Sequence, residues 1–113
     1  MHFGPWFPLV EAVQHAPDAP GVVQARAAGI FAYARGQSAM VFYACSPGDE
    51  SLREFMLGSG QDLLSHVEKC GGCLIRFGET DQPGRELSRL LQNFEGRFGS
   101  LPTGNAAGRG HQK

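Results

Sequence analysis

No stretch of this chain is apolar for long enough to cross a bilayer: the run from Ala39 to Ala44 stops after six residues, against the about 20 that a spanning helix needs. Cysteine is scarce and odd in number. Three thiols at Cys45, Cys70 and Cys73 exclude a disulfide framework and fit a reducing compartment. Charge of one sign is lacking as well, with 10 Lys and Arg against 11 Asp and Glu and a formal net charge of −1. No global positive field therefore draws the chain onto nucleic acid, and any such binding has to be local. The opening Met1-His2-Phe3-Gly4-Pro5 has neither the basic nor the apolar stretch of a secretory leader. The expected location is cytoplasmic, without membrane contact. The 16 glycines include no G-x-G-x-x-G or Walker pattern, which leaves a nucleotide-binding loop unsupported.

What is present suits a single domain. The 113 residues are 42% hydrophobic and 19% charged, enough to bury a core and too few for two independent ones. Residues 9, 10, 13 and 16 are apolar at helical spacing behind Pro8, so a short first helix is expected. Pro17 and Pro20 break it. Gly21–Arg26, Ile30–Ala34 and Ala39–Ala44 then read as a three-strand meander, turned at Ala27-Ala28-Gly29 and at Arg35-Gly36-Gln37-Ser38.

Ser46-Pro47-Gly48-Asp49 supplies turn and cap chemistry ahead of a helix carrying Leu52, Phe55 and Met56. Gly58-Ser59-Gly60 interrupts it, Leu63, Leu64 and Val67 continue it, and Gly71-Gly72 is its stop. A strand Cys73–Phe77 follows. A last helix, capped by Thr80 or Asp81, aligns Leu87, Leu90, Leu91, Phe94 and Phe98 on one stripe. The fold class expected is α/β in the α+β sense: a small, mainly antiparallel mixed sheet flanked by helices, over residues 1–105, with 106–113 as a flexible tail.

Cys70-Gly71-Gly72-Cys73, with His66 before it, offers three soft ligands. A structural zinc site needs four, and Cys45 lies on another strand. A redox pair normally sits where a helix N-terminus stabilises its thiolate, whereas this pair follows a helix, whose carbonyl end disfavours an anion. Two glycines ending a helix beside two small buried thiols is the better reading. His15 and His66 show no nucleophile-base spacing and read as helix surface. Phe3, Trp6 and Phe7 would mark a protein-partner interface if exposed, with packing onto the core as the alternative.

Pro20-Gly21-Val22-Val23, then Phe42-Tyr43-Ala44-Cys45-Ser46, then Ser51-Leu52-Arg53, and finally Pro102-Thr103-Gly104-Asn105 after the closing helix, resemble in order and spacing the GIY-YIG nuclease superfamily over about residues 17 to 105. The resemblance implies an arginine at Arg53, a metal-binding glutamate nearest to Glu86, and a late asparagine at Asn105. Val23 stands where the family has its first tyrosine. Phe42 or Tyr43 takes the second tyrosine position according to whether Ala44 or Cys45 replaces the family's glycine; Ala44 is the preferred substitute, which aligns Phe42 and leaves Tyr43 to offer its hydroxyl from the other face. Counting from Leu90-Leu91 puts Leu87 at the ligand position, and one residue turns a helix by about 100°.

The expectation is a GIY-YIG-like domain with a diverged site, a non-catalytic binding or accessory module without a cofactor. The enzyme alternative is a Mg²⁺- or Mn²⁺-dependent endonuclease using Tyr43, Arg53, Glu86 and Asn105. A protein-partner module is the third reading. Arg85 and Arg89 on the closing helix add candidate phosphate contacts, so weak nucleic-acid binding is the partner expectation.

Overall fold

A computed structural model describes residues 1–110, with side chains through Ala106. The chain runs β1 (Phe7–Pro8), a 3₁₀ turn (Leu9–Glu11), α1 (Ala12–His15), β2 (Gly21–Tyr33), β3 (Gly36–Cys45), α2 (Leu52–Leu57), α3 (Gly60–Lys69), β4 (Leu74–Glu79), α4 (Pro83–Phe98) and α5 (Thr103–Gly110). The sheet order is β1-β4-β2-β3, and its three strand pairings are antiparallel. This is the α+β architecture expected from the patterning, with the antiparallel character extending to each pairing.

The expected three-strand meander is corrected to one long hairpin. Ala27-Ala28-Gly29 does not turn the chain, because β2 pairs with β4 up to Arg26 and resumes pairing with β3 at Phe31. The small residues are absorbed as an irregularity in the ladder, where Ala27 to Ile30 face Ala39 alone. The hairpin turns at Ala34-Arg35, with Tyr33 paired to Gly36. Gly36 holds φ +99° while its neighbours stay at negative φ, the combination of a tight turn closed by a left-handed glycine. One further bulge leaves Val41 unpaired between Phe42, opposite Ala25, and Met40, opposite Arg26. Val41 and Phe42 both pack on the same core group as a result.

Side-chain alternation gives the sheet two faces. On one, Val23, Ala25, Ile75 and Phe77 are buried beneath Leu52, Phe55, Met56 and Val67 of α2 and α3. Gly21 is required there: a Cβ would overlap the Gly78 carbonyl and stand 2.7 Å from Leu52 Cδ1. Ser51, not the Ser46–Asp49 turn, caps α2. Its hydroxyl accepts from the Glu54 N–H at 3.0 Å, and Glu54 accepts from the Ser51 N–H at 3.2 Å, a reciprocal capping box.

Gly71 and Gly72 end α3 as expected. The Gly71 N–H donates to Glu68 O at 3.0 Å and the Gly72 N–H to Val67 O at 2.9 Å, with Gly71 at φ +90°, the bonding of a Schellman stop. The cap expected at Thr80 or Asp81 falls instead at Gln82, with no side-chain bond of its own. Its N–H is held by Thr80 Oγ1 at 3.1 Å.

Two short elements depart from the expectation. The first helix is one 3₁₀ turn followed by a single α turn, and Val10 points outward at 88% exposure. At the other end, α5 extends from Thr103 to Gly110, into the segment expected as a tail; residues 111–113 of that segment lie outside the described residues. Among the described residues no helix is long and apolar enough to cross a membrane.

Candidate functional site

The second sheet face carries the polar groups. Gln24 lies directly opposite Tyr43 on one side and Arg76 on the other, and Arg26 follows two residues along the same face. Gln24 and Tyr43 are buried, at 4% and 7% exposure, while Arg26 and Arg76 are half-buried. Arg76 Nε donates to Gln24 Oε1. Burial pushes the Tyr43 phenol above its ordinary range, although a hydrogen bond with Gln24 and the charge of Arg76 oppose that shift. Burial also pushes the Arg76 guanidinium down, with the neighbouring Arg26 charge adding to the effect and Tyr43 opposing it.

Two walls flank this cluster. Phe94 of α4 meets Tyr33 edge-on at 5.0 Å and Tyr43 at 6.2 Å between ring centroids. On the other side the N-terminal arm is pinned by the Gly4 N–H donating to Phe77 O at 2.9 Å. The arm lays Trp6 against both arginines, 4.4 Å from the Arg76 guanidinium carbon and 4.9 Å from that of Arg26, and Phe3 lies 4.7 Å from Arg76. The aromatic start is thus packed on the sheet, half-buried. Among the described residues neither arginine has a carboxylate partner, and Arg26 Nε is buried without a hydrogen-bond acceptor.

The residues singled out from the sequence are distributed differently. Arg53 is exposed at the start of α2, over the opposite sheet face, with Nε 3.4 Å from Ala16 O. Glu86 lies on α4, where Arg89 donates to its Oε2 from Nη2 at 2.7 Å and from Nε at 3.1 Å. That hydrogen bond holds the Glu86 carboxyl below the usual range. Arg85 donates to Gln82 Oε1 at 3.3 Å.

Asn105 and Tyr43 do meet, through the Tyr43 backbone. Asn105 Oδ1 accepts from the Tyr43 N–H and its Nδ2 donates to the Tyr43 carbonyl, each at 2.9 Å. Val23 is fully buried in the apolar core.

The three thiols are unpaired, and the burial expected of the pair after α3 is corrected: Cys70 is half-buried and Cys73 exposed, because the Gly71-Gly72 stop turns the chain out at the end of the helix. Cys70 Sγ lies 3.8 Å from His66 Nε2, which is also 2.8 Å from Gly104 O. Burial raises the Cys45 thiol pKa. Among the described residues no group of three or more His, Cys, Asp or Glu side chains is arranged to hold a metal ion.

Arg26, Arg76 and Gln24 were not singled out from the sequence. Their signal was parity: in Gly21–Arg26 and Leu74–Phe77, polar side chains at 24, 26 and 76 interrupt runs that are otherwise apolar. Comparison with known proteins gives no matching family model, no matching curated protein and no matching solved structure.

Proposed function

We propose that this chain is a cytoplasmic, non-catalytic binding module with a GIY-YIG-like plan and a diverged site, and that nucleic acid is its partner. The observation that carries the reading is how the four side chains of the nuclease alternative are engaged. Arg53 stands over one sheet face, while Tyr43 and Glu86 belong to the other. Asn105 commits both ends of its amide to the Tyr43 backbone, and Glu86 is engaged by Arg89. In-line hydrolysis of a phosphodiester needs a metal-bound carboxylate and an arginine converging on one phosphate. The two arginines without carboxylate partners on the α4 side support a binding role for that face instead.

The test is a titration with single- and double-stranded DNA and RNA at two salt concentrations, followed by incubation with Mg²⁺ or Mn²⁺. The expected result is weak, sequence-independent binding that falls steeply with salt through counterion release, with the nucleic acid left intact. Cleavage that disappears in Arg53→Ala and Glu86→Ala would overturn the reading in favour of the nuclease. Absence of both binding and cleavage would favour a protein partner.

A further inference from the structure

We infer that Arg26 and Arg76, held against Trp6 on the α4 face of the sheet, form a binding site for a phosphate group. The inference deepens the binding-module reading and rests on it.

Arg26 and Arg76 are diagonal neighbours on adjacent strands, since Gln24 pairs with Arg76 and Arg26 with Leu74. Two like charges brought together and half withdrawn from water repel one another and lose hydration, and a folded chain normally offsets this with a carboxylate. Here none is supplied among the described residues. Glu79, on the same strand as Arg76, has the opposite parity and projects from the other face.

The guanidiniums are nevertheless held in place. Gln24 accepts from Arg76 Nε, which leaves the Nη edge of Arg76 for another acceptor. Trp6 stacks against both arginines, and among the described residues the buried Arg26 Nε has no acceptor. Planar donors fixed by stacking, without an anion of their own, match the fork geometry that a phosphate accepts. The phosphate could be free or carried by a nucleic-acid strand, and the two sources separate experimentally.

Trp6 is the single tryptophan of the chain, so its fluorescence reports on this site without labelling. The full chain is titrated with inorganic phosphate at constant ionic strength, and separately with a single-stranded oligonucleotide with and without a 5′-phosphate. A saturable change in Trp6 emission is expected, weakened at least about tenfold in Arg26→Gln and Arg76→Gln, the scale of one charge-assisted hydrogen bond.

Arg76 also supports Gln24, so Arg76→Gln is read only after its unfolding transition matches that of the parent. Arg26→Lys, which keeps the charge and loses the fork, gives a second reading and is expected to bind several-fold more weakly. Saturation by phosphate alone identifies a small anion as ligand; tighter binding of the oligonucleotide identifies a strand. No saturable change with either probe, or a change that persists in both glutamine variants, overturns the site. Nucleic-acid binding that persists in those variants but is lost in a combined Arg85→Gln, Arg89→Gln variant also overturns it, while leaving the binding-module reading intact.

Discussion

The two faces of the sheet are built from the same three strands and do opposite work. Beneath α2 and α3, Val23, Ala25 and Ile75 are fully buried, as is Leu52 of α2 that packs onto them. Beneath α4 and the N-terminal arm, Gln24, Tyr43, Arg26 and Arg76 occupy the equivalent positions one residue out of phase. A strand's period of two lets a single stretch such as Val23-Gln24-Ala25-Arg26 serve both faces.

The contrast can be broken most directly at Leu52. Truncation in Leu52→Ala opens a cavity under Gly21 and Val23 and is expected to cost about 2–5 kcal/mol, read as a lower midpoint in denaturant unfolding. A smaller loss would mean that the apolar face is less closely packed than its burial indicates. Next in size is Asn105→Ala, which leaves the Tyr43 N–H and carbonyl without their side-chain partner. An expected cost of about 1–3 kcal/mol, with nucleic-acid binding unchanged once the variant is folded, would assign Asn105 to structure. Loss of binding in a fully stable variant would assign it to the ligand instead.

The smallest effect is expected at Arg26→Met. The change gives up a cation–π contact but relieves an uncompensated buried donor, so stability should move by no more than about 1 kcal/mol in either direction. A loss as large as that at Leu52 would show that the polar face carries stability after all.

The apolar face was largely legible in the sequence, because helical and alternating periods there agree with burial. Leu52, Phe55 and Met56 share a stripe, and the glycine pair after α3 stops it through its left-handed backbone. The continuity of β2 was not legible. Ala27-Ala28-Gly29 carries local turn chemistry, and only pairing on both sides of that stretch keeps it extended. Helix α5 was missed for a related reason. Its glycines and polar residues argue for a tail, whereas buried Leu101 and Pro102 and the bonds from the Asn105 and Ala106 N–H groups to Pro102 O start a helix there. The clustering of Arg26 with Arg76 depends on a strand register between segments about fifty residues apart, and no local pattern encodes that.

One consequence of the Asn105 contact reaches beyond the single chain. β3 is the outermost strand of the sheet, and an outermost strand presents unmatched backbone groups to any extended peptide that drifts alongside. At Tyr43 the primary amide of Asn105 imitates the next strand, offering one acceptor and one donor where a neighbour's backbone would. Helix α5 therefore works as a stopper on the open rim of the sheet, and its detachment would turn β3 into a template for chain-to-chain pairing.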